Sequence, residues 1–296
     1  TFSDTIGPMS HTSHPSLFAL SMLAAGCASA DPDAKTTVQN SGTLTVLTYN
    51  VHGLPSTITG DDTPQRMSEI APRLEPWDIV GLQEDFDAVN HDILTGDSSH
   101  SSLHWFSDRL PDRAYGAGLT VLANATVIDD THHHYSSCNG VLDASSDCLA
   151  SKGFQAIRLR FGRSSIDVYN THLEAGGGTA DADARQVQIE ELIESLNGWS
   201  HQQAVLFTGD FNLRESDPSD LPLMEELRDS AGLVDACQEV GCDEPNHIDQ
   251  ILFRSSDTLA LNALEWSNVS DEFQSEDGTD LSDHPAISVT VEWDTD

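Results

Sequence analysis

Basic residues are scarce in this sequence. Lysine and arginine number 13 against 49 aspartates and glutamates, a formal net charge of −36 at pH 7. The only lysines are Lys35 and Lys152. A field of that sign repels polyanions, so no stable nucleic-acid partner is expected. The same excess also fits a surface adapted to salty surroundings, where screening weakens self-repulsion. Long apolar runs are missing too, and nothing in the chain has the length of a mature membrane span. There is no Walker-type glycine loop and no serine elbow, which leaves nucleotide-binding and serine-hydrolase chemistry without their usual supports. Neither local cysteine pair has the short CxxC spacing of a zinc site.

What is present begins with a short apolar run, Ser16 to Ala25, ending at Gly26-Cys27. It reads as an export signal over residues 1–27. Two versions stay open: a lipoprotein-type signal with Cys27 as the lipidated residue, or a secretory signal cut near Ala28 or Ala30. Either version implies an exported protein, secreted or anchored to an outer membrane surface. Residues 28–42 are polar and read as a tether. Residues 43–296 are long enough for one large α/β domain, expected to act as a monomer. Cys138, Cys148, Cys237 and Cys242 fall in two local pairs. Three connectivities are possible, and Cys138–Cys148 with Cys237–Cys242 is the natural one for an exported chain.

The stretch Ala204 to Asn212 organises the rest. Four apolar residues, Ala204 to Phe207, predict a short strand buried on both faces, which Gly209 ends. Asp210 and Asn212, two residues apart, are expected to leave the sheet on the same side. Further strands are predicted over Thr43–Asn50, Trp77–Leu82, Gly118–Asn124, His247–Phe253 and Ala286–Trp293. A hairpin is predicted over Phe154–Phe161 and Ser165–Leu173. Thr63-Pro64 opens a helix carrying Met67, Ile70 and Leu74, which Pro72 should kink or end. Leu103, Phe106 and Leu110 suggest one face of another helix, packing Trp105 and Phe106 inward. Asp183 to Leu196 is amphipathic. His132-His133-His134 reads as a solvated loop and Gly176-Gly177-Gly178 as a flexible turn. Strands and helices mix without strict alternation, so mixed sheets are expected.

Polar residues recur at the strand ends: Asn50, Glu84, His172, Asp210 with Asn212, Asp249, and Asp283 with His284. Strand ends gather at one rim, where residues distant in sequence meet. Carboxylates and amides are hard oxygen ligands suited to Mg²⁺, and two histidines can supply a base and a hydrogen-bond donor. Together they suit attack of water on a phosphate ester.

These segments resemble, in order, the motifs of the endonuclease/exonuclease/phosphatase superfamily: Tyr49-Asn50-Val51, Leu82-Gln83-Glu84, Thr171-His172-Leu173, Gly209-Asp210-Phe211-Asn212, Ile248-Asp249 and Ser282-Asp283-His284. The resemblance implies a four-layer α/β sandwich, two packed mixed sheets flanked by helices. Within it, Asn50 to Pro55, Glu84 to Asp87 and Asp147 to Phe154 look like the neutral sphingomyelinase branch. That likeness implies a Mg²⁺-dependent phosphodiesterase that releases phosphocholine from sphingomyelin or a related phospholipid, with peripheral membrane contact. It implies Glu84, Asn50 and Asp283 as the metal side. His284 would be oriented by Asp249, with Asp210 binding the water, and either Asp210 or His284 takes the proton. His172, Asn212 and Lys152, the last acting with Asp147, would meet phosphoryl oxygens. Residues 266–280, where toxin-type members carry an apolar hairpin, are mostly acidic and polar here. A secreted endonuclease on the same scaffold and a non-catalytic surface binding protein are the two rival readings.

Overall fold

The computed structural model describes residues 40–140, 147–244 and 246–295. The export segment with Cys27, and residues 28–39 of the tether, lie outside the described residues. In chain order the elements are β1 (Ser41–Asn50), α1 (Ser56–Thr59), α2 (Thr63–Leu74), β2 (Ile79–Gln83), α3 (Ala88–Thr95), β3 (Ser102–Phe106), β4 (Leu119–Ala123) and β5 (Val127–His134). There follow β6 (Gly153–Phe161), β7 (Ser164–His172), α4 (Thr179–Gly198), β8 (Ala204–Asp210), α5 (Leu221–Ala231), β9 (Val234–Asp235) and α6 (Ala236–Val240). The chain closes with β10 (Asp249–Arg254), β11 (Ala260–Asn268) and β12 (Ile287–Asp294).

Two six-stranded sheets form, ordered β11-β12-β1-β2-β4-β3 and β5-β6-β7-β8-β10-β9. Both are mixed: β1 with β2 and β7 with β8 are parallel, and the other pairs are antiparallel. Side-chain alternation builds the layers. Val46, Ile79, Ile166, Val168, Leu206 and Ile251 point between the sheets and form the central core. Leu47, Tyr49, Val80 and Leu82 point outward and are covered by Met67, Ile70 and Leu74 of α2. Val205 and Phe207 are covered on the opposite face by Ile189, Leu192 and Leu196 of α4 and by Leu227 of α5. The result is the expected α/β/β/α sandwich.

The sheets approach each other closely near the site. A Cβ on Gly81 would stand 2.0 Å from Thr208 Oγ1, so only glycine allows β2 and β8 to face each other there. Both cysteine pairs form as expected, Cys138 with Cys148 and Cys237 with Cys242.

Four local expectations change. Residues 102–106 are an edge strand and not a helix, because five residues are too few to separate a period of 2 from 3.6. Trp105 there stacks on His91 at 3.9 Å. The histidine run belongs to edge strand β5, where His132, His133 and His134 pair with Gln155, Phe154 and Gly153. Pro72 does not stop α2 at its own position, since it lies on the exposed face and the helix runs on to the buried Leu74. Strand β8 runs through Gly209 to Asp210, because that glycine lies flat against Thr171.

Candidate active site

Register decides what meets at the rim. In the second sheet His172 is paired with Asp210, and Asp210 with Asp249. In the first, Asn50 is paired with Gln83, so Glu84 follows directly off the end of β2. Both rows end on the same side of the sandwich. The link is Asn50, whose Nδ2 donates to Glu84 Oε1 and to Asp210 Oδ2, each at 3.1 Å.

Three of the four non-glycine residues with positive φ among those described sit here: His52 (48°), Glu84 (60°) and Asn212 (50°). Such backbone costs about 1 kcal/mol or more per residue and persists only where neighbours hold it. Glu84 is held by its carbonyl, which accepts the N–H groups of Gly53 and Phe86 at 3.0 and 2.9 Å. Next to it, buried Asp85 accepts from Thr120 Oγ1 at 2.7 Å and pairs with His91 Nδ1 at 2.5 Å. Asn212 stays beside Asp210, but not through strand alternation. Its backbone N–H donates to Asp210 Oδ1 at 3.1 Å, and its side-chain Nδ2 donates to the Leu173 carbonyl.

The second histidine arrives from the loop before β12. His284 Nδ1 lies 3.0 Å from Asp249 Oδ2, and its Nε2 lies 3.8 Å from Asp210 Oδ2. Burial opposes a charge on this ring, but the Asp249 hydrogen bond and the carboxylates of Asp249, Asp210 and Asp283 outweigh it and raise its pKa to about 10. Asp210 goes up to about 6, through burial and then through Asp249. His172 is driven well below the usual range by burial, then by the Lys152 ammonium and by His284. It is therefore neutral. Its Nε2 is 3.1 Å from Lys152 Nζ and 3.4 Å from Asp210 Oδ2, while Nδ1 is buried without a partner among the described residues. Lys152 Nζ also meets Asp147 Oδ1 at 2.5 Å and donates to the Leu173 carbonyl. Asp283 pairs with His52 Nδ1 at 3.0 Å, on the exposed side of the rim.

The donor set fits a hard divalent cation. Glu84 is a carboxylate raised by burial, stabilised by Asn50 and faced by the like charge of Asp210, so a cation there would relieve it. Asn50 turns its nitrogen toward Glu84, while its oxygen accepts the His52 N–H. Asp210, Asp249 and His284 also present ligand atoms within 4.8 Å of one another, although a charged imidazole between two carboxylates already balances that group.

Beside Glu84 opens a cleft of about 310 Å³, lined by Leu54, Ile58, Phe86, Tyr115, Leu149 and Ala150 together with Asp147, Lys152 and His172. The rings of Phe86 and Tyr115, with centroids 5.9 Å apart, pack against each other as its aromatic wall. Nothing in the sequence marks this aromatic wall, because one Phe and one Tyr have no spacing that identifies a pocket. Nor does any motif mark Glu174. That carboxyl is fully buried with Oε2 unpartnered among the described residues, and burial followed by Asp147 raises its pKa to about 7. A raised folded pKa means the group costs stability above its ordinary value of 4.5, with the full cost reached above about 7. Glu174→Gln is therefore expected to stabilise the protein by about 2 kcal/mol at pH 8 and hardly at pH 4.5, as read by urea unfolding at the two pH values.

Comparison with known proteins agrees with this geometry. The family model for the endonuclease/exonuclease/phosphatase family 2 matches residues 113–230. A sphingomyelinase of Mycobacterium tuberculosis (strain H37Rv) is 31% identical over 278 residues, covering 83% of this chain and 52% of that protein. The chain thus spans about half the length of that relative. Among solved structures, Staphylococcus aureus beta toxin with bound magnesium ions superposes with a TM-score of 0.64 at 15% identity, over 84% of this chain and 99% of that one. Danio rerio TDP2 with a single-strand DNA product gives 0.67 at 16% identity, over 84% and 98%. Residues 113–230 thus match the endonuclease/exonuclease/phosphatase family, and the two-sheet fold is the one these solved structures share.

Proposed function

We propose that this protein is an exported, Mg²⁺-dependent phosphodiesterase that hydrolyses sphingomyelin or a related choline phospholipid and releases phosphocholine. The observation that carries the reading is the cleft. Apolar and aromatic walls lead directly to Glu84, Lys152 and His172, which suits a phosphate ester bearing an apolar or quaternary-ammonium substituent. The one lysine at the site is already matched by Asp147, and the net charge of −36 disfavours a polyanion. The similarity to a sphingomyelinase supports the same substrate class, and two disulfides support an oxidising compartment.

In this mechanism Glu84 would hold the cation, with Asp283 and, once its amide oxygen is released from the His52 N–H, Asn50 as further donors. When bound, the ion supplies positive charge to the phosphoryl oxygens and the leaving oxygen. Lys152 and neutral His172, through the Nε2 that stands beside Lys152 and Asp210, hold phosphoryl oxygens, and Asn212 helps fix that wall. Asp210 and the His284–Asp249 pair flank the attacking water. With His284 kept charged by Asp249, Asp210 is the group left to accept the water's proton, and His284 turns its charge toward the phosphoryl group.

The rival is a nuclease, favoured by the superposition on a DNA-bound TDP2. A panel separates the two: sphingomyelin, phosphatidylcholine, bis(p-nitrophenyl) phosphate and plasmid DNA, each with Mg²⁺ and after EDTA. Phosphocholine release from sphingomyelin, abolished by EDTA and restored by Mg²⁺, is the expected result. Cleavage of DNA with intact lipids would overturn the lipid assignment.

A further inference from the structure

Two exposed apolar side chains belong to the segments that border the cleft. Among the described large hydrophobic residues, Val89 (64% exposed) and Ile58 (53%) are the most open to solvent. Ile58 on α1 lines the cleft itself with Leu54 and Phe86. Val89 sits in the first turn of α3, three residues beyond Phe86. The start of α3 is tied to the loop that leads into α1, because Asn90 Nδ2 donates to the carbonyls of Gly53 at 3.1 Å and Leu54 at 3.5 Å. Asp87 caps α3 by accepting the N–H groups of Val89 and Asn90, so the turn that presents Val89 is fixed.

The surround of these side chains is acidic. Asp61 and Asp62 follow α1, and Asp87 and Asp92 flank Val89. The nearby Arg66 is fully engaged by Asp61 and by the carbonyls of Val51, His52 and Leu281. An anionic surface would be repelled, whereas outward-facing quaternary ammonium groups complement the acids. The segment between β11 and β12 cannot take this role. It carries Asp271, Glu272, Glu276, Asp277, Asp280 and Asp283, and its one phenylalanine, Phe273, is buried against Tyr49.

We propose that Ile58 and Val89, with Leu54 at the lip, form the membrane-contact tip that seats the protein on a zwitterionic, choline-bearing lipid surface with the cleft opening onto it. The proposal rests on the lipid-diester reading above. Apolar side chains entering the interface supply the attraction, and the acidic collar selects against anionic lipid.

The test uses the full chain in EDTA, so that vesicles stay intact during binding. Wild type is expected to sediment with phosphatidylcholine–sphingomyelin vesicles, and at least about tenfold more weakly with vesicles rich in phosphatidylserine. Val89→Asp should weaken binding to the zwitterionic vesicles by about tenfold, the effect of withdrawing one buried aliphatic side chain. With Mg²⁺ its vesicle turnover should fall in step, while kcat and KM on soluble bis(p-nitrophenyl) phosphate stay unchanged. Ile58→Asp, read by vesicle binding alone, should behave the same way, and circular dichroism checks the fold of both. Wild-type vesicle binding by both variants would overturn the proposal, as would wild type that hydrolyses the soluble diester and ignores vesicles. Failure on the soluble diester itself would instead count against the phosphodiesterase reading, and vesicle binding in EDTA would still decide the docking.

Discussion

Glu84→Gln is expected to lower kcat/KM on any phosphodiester the protein accepts by about a thousandfold or more, without loss of thermal stability. The substitution keeps shape and volume, and a glutamine oxygen can still accept from Asn50 Nδ2 at the position now held by Oε1. What disappears is the negative charge that burial makes costly in the native state. Relief of that cost should leave the melting temperature equal or higher, which separates a lost cation anchor from a damaged fold. The measurement is kcat/KM across a Mg²⁺ titration, with a melting curve on the same sample. Activity within tenfold of wild type would remove Glu84 from the cation site.

The second large effect is expected at Asp249. Asp249→Asn should also reduce kcat/KM by about a thousandfold, because His284 then loses the carboxylate that is the main cause of its charge, and a neutral amide with one donor end orients the ring less securely. The imidazole pKa, followed by NMR, should fall from about 10 toward the ordinary 6.5. Since the folded value is the raised one, the stability it contributes is complete below pH 6.5 and is lost as pH rises through about 10. The variant should therefore lack that high-pH decline. In wild type the acid limb belongs to Asp210, so kcat/KM should drop as pH falls through about 6 and this carboxyl takes up a proton. An NMR titration of His284 unmoved by the substitution would dismiss the coupling.

Much of this site is legible in the sequence because strand ends are marked. Apolar alternation in Thr43–Asn50 and the buried run Ala204–Phe207 locate two strands, and register then carries Asn50 and Asp210 to one rim. The polar residues stand out because each follows a run that must be buried. Other parts depend on contacts that no local pattern encodes. The left-handed backbone at Glu84 follows from Gly53, Gly118 and Phe86 closing around it, and each of those residues is ordinary on its own. Leu103 to Phe106 reads equally as helix or strand until β4 pairs with it. Glu174 appears as one acid among many until Asn139, Asp147 and Gln188 bury it. Asp283 is legible as a site residue, but its partner His52 is set by a loop that folds back from the far end of the chain.

Because Glu84 and Asn50 hang from one sheet while His172, Asp210 and Asp249 hang from the other, the proposed reactive centre is a seam between two separately braced halves. The contact of Gly81 with Thr208 works as the spacer that sets the gap. A small slip of one half along the other would pull the cation side away from the proton-handling side while every helix and strand stayed intact. Warming should thus silence the protein before it melts, and side chains deep in the central core, far from any substrate, should govern how much earlier.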